Sequence, residues 1–268
     1  MKTIGFIGCG NMGSAIVGGI LQADIADKEH VIASVHSNSS RDRIEQELGI
    51  KATLSNAEVA KAADILFLAV KPNMFAQVIP EIKDVVSAET IIVSIAAGQT
   101  IEGIEEAFGG DIKLVRSMPN TPALVGEAMS AVVPNNNILE DDLSEVMAIF
   151  ESFGEAEVVS EKLMDAVVGV SGSSPAYVYM FIEAMADAAV ADGMPRSQAY
   201  KFAAQSVLGS AKMVLQTGRQ PGELKDAVCS PGGTTIEAVA KLEELGFRGT
   251  IMAGQRACSN KSREMSKR

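Results

Sequence analysis

The chain has 268 residues, 47% hydrophobic and 21% charged, a composition that builds a packed core and excludes a disordered or fibrous chain. Its net charge of -11 argues against nucleic acid or an anionic membrane surface as partner, so a bound anion must be held by local backbone geometry. Two histidines and three scattered cysteines, Cys9, Cys229 and Cys258, give no metal-ligand spacing and suit a reducing cytoplasm.

The N-terminus carries one lysine and then a strand broken by glycines, which is no secretion signal, and no apolar run approaches the ~20 residues of a membrane span. Ile4 to Ile7 reads as a buried parallel strand. It runs into Gly8-x-Gly10-x-x-Gly13 and then a helical pattern, Ile16, Ile20 and Leu21. Strand, glycine turn and helix form the context of the dinucleotide fingerprint. Gly8 permits the tight turn, Gly10 admits a pyrophosphate to the backbone, and Gly13 lets helix and strand pack closely. The candidate contacts are therefore Ile7, Gly8, Cys9, Gly10, Asn11, Met12 and Gly13. A glycine turn without a nucleotide is the plain alternative.

Further strands are expected at 31–35, 65–70, 90–96, 113–118, 129–134 and 156–160, with helices through Arg41–Leu48 and from about Glu140 to Phe153. Strands alternating with helices imply right-handed βαβ units and an α/β, Rossmann-type, doubly wound, mostly parallel sheet. Where NAD-binding folds place a carboxylate after the second strand, this chain has Val35-His36-Ser37-Asn38-Ser39-Ser40-Arg41 and no acid before Asp42. Ser37, Asn38 and Arg41 would meet a 2′-phosphate with donors, which favours NADP(H) and leaves NAD(H) open. Alternatively, Ser37–Ser40 only cap the next helix.

After Ser160 the pattern becomes helical, over roughly 161–170, 174–192 and 197–217. The expected division is 1–160 for an NADP-binding domain and 161–268 for an all-α domain. The second and third of these helices are apolar nearly all round, so they must be buried on several sides. A domain of this size has limited capacity to bury them alone, and an obligate dimer is the expected remedy, against a self-contained bundle. The last 21 residues carry six basic residues and one acid, Glu264, and read as a solvated helix end.

Within 221–243, Pro231, Gly232 and Gly233 halt any preceding helix. From Thr234 a new helix places Ile236, Val239, Leu242 and Leu245 on one face. Its unpaired N–H groups and macrodipole suit a small carboxylate, without an arginine. The plain alternative is a Gly-Gly loop with Thr234 or Thr235 as N-cap.

The opening IGxGNMG, with LAVKP at 68–72, SIAAG at 94–98, RxMPNTPA at 116–123, SGSSPAY at 171–177 and LKDxVxSPGGTT at 224–235, resembles the pyrroline-5-carboxylate reductase family over essentially the whole chain. The resemblance implies NAD(P)H-dependent reduction of the cyclic imine 1-pyrroline-5-carboxylate to L-proline, the last step of proline biosynthesis. It implies cofactor contacts at Asn56, at Ala69, Val70, Lys71 and Pro72, at Ala96 and Ala97, and at Asn120. It also implies C-terminal helices that interlock between subunits, with larger rings of dimers as a further form. The substrate carboxylate is assigned to the N–H groups of Gly233, Thr234 and Thr235, and the ring nitrogen to the Thr235 hydroxyl. Ser230 and Val228 would line the pocket, with Ser171 and Ser173 added from the loop before Pro175. Lys71 could instead be a surface lysine, and Asn120 could simply shape its turn.

The alternatives are a related NADP-dependent imine or β-hydroxyacid oxidoreductase and a non-catalytic NADP-binding regulator. The intact SPGGTT segment speaks against the regulator, and Lys201 and Lys212 lie in no active-site motif of a hydroxyacid enzyme.

Overall fold

The computed structural model describes residues 1–266. The chain begins with β1 (Ile4–Ile7), α1 (Asn11–Gln22), β2 (Val31–Ser34), α2 (Asn38–Leu48), β3 (Lys51–Thr53), α3 (Asn56–Ala62) and β4 (Ile65–Leu68). It continues with α4 (Phe75–Ile82), β5 (Ile91–Ser94), α5 (Ile101–Phe108), β6 (Lys113–Met118), β7 (Ala128–Pro134), α6 (Glu140–Glu151) and β8 (Gly154–Val158). The strands form one sheet in the order β3-β2-β1-β4-β5-β6-β7-β8, parallel except where β7 runs against β6. Strand order reverses at β1, so the crevice beyond the ends of β1 and β4 is the topological switch point at which doubly wound sheets bind ligands.

β1, β2, β4 and β5 are buried at every position, as parallel strands covered on both faces must be. One face packs Phe6, Phe67 and Phe150 among residues of α1, α2 and α6; Phe6 and Phe67 stack with centroids 4.8 Å apart. The other face packs Leu66 and Leu68 against Val59, Val78 and Ile104 from α3, α4 and α5.

β3 was absent from the expected elements. It has three residues with one side chain buried, so the sequence carries no apolar run there. The strands expected to reach Val70 and Ala96 end at Leu68 and Ser94, because the chain leaves the sheet to form the ligand-side loops. β8 begins at Gly154, where a Cβ would collide with the Ala128 backbone.

The expected helix at 161–170 is a composite: a 3-10 turn over Glu161–Leu163, the short α7 (Met164–Val167) and a π-helical turn over Val168–Gly172. There follow α8 (Ser174–Ala191), α9 (Arg196–Thr217), α10 (Pro221–Val228), α11 (Thr234–Glu244) and α12 (Phe247–Met265). Of the basic C-terminal residues, Lys267 and Arg268 lie outside the described residues.

By contacts the chain divides into Met1–Ser173 with the segment from Cys258 onward, and Ser174–Ala257. The first unit thus takes in the end of α12. There the Ser262 hydroxyl donates to Asp165 at 2.6 Å, and the Cys258 thiol donates to the Ser173 hydroxyl at 3.2 Å. In the second unit, α8 and α9 leave Tyr179, Met180, Phe202 and Leu215 between 60% and 78% exposed. The all-round burial expected for these helices is not achieved within one chain.

Candidate functional site

In the first unit, one candidate site is built by the glycine turn. Gly8 has φ +86°, and a Cβ there would lie 2.8 Å from Val70 Cγ1 and 2.9 Å from the Ala69 carbonyl. Gly13 sits where a Cβ would come within 3.1 Å of the Gly8 carbonyl, so α1 packs directly on the turn. Gly10, in contrast, faces open space. It is the N-cap of α1, no side chain caps the helix, and among the described residues the N–H groups of Asn11, Met12 and Gly13 find no acceptor. Tight turn, open approach and close packing are the features a dinucleotide needs, and the residues fit one.

The side chains around the turn are placed differently from one another. Ile7 is fully buried, and its carbonyl accepts the Ala69 N–H at 2.9 Å, so it supports the turn from inside the sheet. The Cys9 thiol is buried 3.6 Å from the Ser14 hydroxyl. Burial pushes this thiol up, against the opposing pull of Ser14 and Arg43, so it remains protonated near neutrality. Asn11 is exposed and Met12 half-buried.

Ser37 caps α2, its hydroxyl accepting the Ser40 N–H at 3.2 Å. Asn38 is the first residue of the helix, and the Arg41 guanidinium pairs with Asp42 at 2.9 Å. No carboxylate lies between Val35 and Arg41. Asn56 opens α3; its Oδ1 accepts from the Ser34 hydroxyl at 2.6 Å and its Nδ2 donates to Glu81 at 2.7 Å.

Ala69, Val70, Lys71 and Pro72 follow β4 at the switch point. Lys71 is exposed and joins no salt bridge among the described residues. Ala96 is buried and Ala97 half-buried in the loop after β5. Asn120 is buried and uses both ends of its amide: Oδ1 accepts the Met129 N–H at 3.0 Å, and Nδ2 donates to the Ser171 carbonyl at 3.1 Å. It shapes its turn and ties that turn to the π-helical segment. The Ser171 hydroxyl donates to the Val167 carbonyl at 3.1 Å, while Ser173 is engaged with Cys258.

A separate candidate site, in the second unit, is the start of α11. Gly232 has φ +65°, a left-handed conformation that turns the chain, and Gly233 is the N-cap in extended conformation. Neither Thr234 nor Thr235 caps the helix, since both lie inside it. Among the described residues, the N–H groups of Thr234, Thr235 and Ile236 find no acceptor. Thr234 is exposed and Thr235 half-buried, and Ser230 is exposed beside them. Val228, at the end of α10, borders a cavity of about 340 Å³ with Met213, Val214, Pro221, Leu224 and Lys225.

Four residues beyond the sequence reading join this picture. Arg43 on α2 donates to the Cys9 carbonyl at 3.3 Å. Ser34 and Glu81 orient Asn56. Glu161 accepts from the Ile101 N–H and from Arg116, each at 2.8 Å. Only Arg43 leaves a signal in the sequence, as a second arginine on the helix that follows β2.

The model of the family described as pyrroline-5-carboxylate reductase dimerisation matches residues 161–265, and that of coenzyme F420-dependent NADP oxidoreductases matches residues 3–98. Pyrroline-5-carboxylate reductase of Escherichia coli K12 is 53% identical over 99% of both chains. That of the archaeon Methanosarcina acetivorans is 45% identical over 100% of this chain and 99% of its own. Among solved structures, the pyrroline carboxylate reductase of Plasmodium falciparum, with NADP bound, superposes with a TM-score of 0.90 at 36% identity, covering 99% of this chain and 98% of that one.

Proposed function

The chain belongs to the pyrroline-5-carboxylate reductase family, and from that premise we propose how its residues divide the reduction of 1-pyrroline-5-carboxylate to L-proline. The observation that carries the proposal is the uncapped start of α11, with three N–H groups lacking an acceptor behind a glycine N-cap. Such a start holds a carboxylate without a cationic side chain, which suits a chain of net charge -11.

A bound nicotinamide nucleotide supplies the hydride. The glycine turn and the bare start of α1 hold its pyrophosphate, and Ala69–Pro72, Ala96 and Ala97 line its nicotinamide side. Ser37 and Asn38, at the start of α2, face the 2′-position of its adenosine ribose, and with no acid there NADPH is preferred to NADH.

The imine carboxylate binds the N–H groups of Thr234, Thr235 and Ile236; the Gly233 N–H, expected to share in this, donates to the Ser230 carbonyl at 3.0 Å instead. Thr235 directs its hydroxyl to the ring nitrogen, and Ser230, Val228, Ser171 and Ser173 shape the ring pocket. The iminium is the reactive form: hydride adds to carbon, the π-electron pair returns to nitrogen, and the nitrogen keeps its proton. The protein's task at that atom is therefore to hold the protonated ring and orient it. Asn120 acts through the Ser171 carbonyl it holds. The exposed faces of α8 and α9 are covered by a second copy, giving a cytoplasmic homodimer from which larger rings can be built.

The test is turnover of 1-pyrroline, which keeps the ring and the C=N bond but lacks the carboxylate. Its kcat/KM falls by about a hundredfold relative to the carboxylated imine, about 2.7 kcal/mol of binding to those N–H groups lost from the transition state. Equal kcat/KM for the two would remove the carboxylate from the α11 site.

A further inference from the structure

Arg43 joins two elements that frame the adenosine ribose in doubly wound folds: the glycine turn and the helix after β2. Its Nη2 donates to the Cys9 carbonyl at 3.3 Å, and its Nη1 pairs with Glu47 one turn along α2 at 2.9 Å. The next residue after Cys9 is Gly10, whose open face is the expected approach of the ligand backbone. Arg41 is placed otherwise. Both its Nε and its Nη2 are turned onto its neighbour Asp42, and among the described residues no bond links it to the glycine turn.

We propose that Arg43, rather than Arg41, is the residue that distinguishes NADPH from NADH, by exchanging the Cys9 carbonyl for the 2′-phosphate. The inference rests on the reading that NADPH is preferred. A neutral carbonyl is a weaker acceptor for a guanidinium than a phosphate, which takes a charge-assisted and bidentate bond. With NADPH the guanidinium gains the stronger acceptor. With NADH it stays on Cys9, because a ribose hydroxyl offers it no comparable partner. Arg43 thus adds affinity for one nucleotide and leaves the other nearly unchanged, which is what a specificity residue must do.

The experiment is direct nucleotide binding, by nicotinamide fluorescence, to wild type, Arg43→Ala, Arg43→Lys and Arg41→Ala, with no imine present. Arg43→Ala weakens NADPH by about tenfold or more and NADH by less than about twofold, the scale of one lost charge-assisted contact. Arg43→Lys retains part of the preference, since the charge remains while the fork is lost, and it serves as the probe if Arg43→Ala folds poorly. Arg41→Ala leaves the ratio near that of wild type.

If Arg43 merely braces the turn, both nucleotides weaken together and the proposal is overturned. A preference intact in Arg43→Ala but lost in Arg41→Ala overturns it as well, leaving the NADPH reading in place. Equal affinity of wild type for the two nucleotides overturns that reading and this inference with it.

Discussion

Arg116 Nη1 donates to the Glu161 carboxylate at 2.8 Å, which joins β6 to the first residue of the region matched by the dimerisation family. The arginine is 4% exposed and the glutamate 35%. The same carboxylate oxygen accepts the Ile101 N–H at the start of α5, immediately after the loop that carries Ala96 and Ala97. One acid therefore fixes a buried cation and the far end of a ligand-side loop.

Removing that acid leaves the buried guanidinium unpaired. Glu161→Ala costs about 2 kcal/mol in chemical denaturation, below the range for fully buried pairs because the glutamate is partly solvated. Glu161→Gln, which still accepts both bonds, loses less. Equal, near-zero losses in both variants would show that the pair carries no stability.

The two glycines of the nucleotide turn should respond oppositely to substitution. Gly10 has φ -83° and open space where a side chain would go, so Gly10→Val leaves the melting temperature nearly unchanged. It weakens NADPH binding by about tenfold or more, because the side chain occupies the pyrophosphate approach. Gly8→Ala, with φ +86° and contacts below 3 Å, destabilises the fold itself by about 1–3 kcal/mol. Unchanged NADPH affinity in Gly10→Val would take the nucleotide away from this turn.

At α11, Thr235→Val lowers kcat/KM by at least about tenfold while leaving the Kd for NADPH close to wild type. Gly233→Val places a branched side chain beside the Ser230 carbonyl, 3.2 Å from its Cβ position, and abolishes inhibition by L-proline. Proline inhibition that survives in Gly233→Val would contradict the helix-end carboxylate site.

Burial pushes the Asp142 carboxyl up, but hydrogen bonds from Lys113 and the Leu139 N–H outweigh burial and hold it below the usual carboxylate range. A lowered folded-state value contributes stability above the ordinary carboxylate pKa of about 3.9, lost as pH falls through the folded value. Asp142→Asn is thus less stable than wild type near neutrality, and the gap closes in strong acid. Lys113 is raised by its bonds to Asp142 and Glu89, so it stays charged throughout this window. A gap independent of pH would show that the loss comes from packing rather than charge.

The sheet was legible where burial on both faces writes an apolar run, as in β1, β4 and β5. β3 was not, because a three-residue edge strand with an exposed Lys51 leaves no such run. The glycine turn and the Gly233 helix start were legible because glycine marks the backbone itself. The partners of Asn56 and Arg116, and the Ser171 carbonyl held by Asn120, lie 22 to 51 positions away, and a polar bond of that kind has no local period. Arg43 and Arg41 fit the same pattern in the sequence, and only the bond from Arg43 to the Cys9 carbonyl separates the two. The composite turns over 161–172 were read as one helix since α, 3-10 and π segments share the same apolar spacing to within a residue.

The most direct test of the account is oxidation of NADPH and of NADH by the purified chain, supplied in turn with 1-pyrroline-5-carboxylate and its six-membered homologue. The account predicts rapid turnover of the five-membered imine, with NADPH favoured over NADH. Nucleotide binding without turnover of either imine would contradict it.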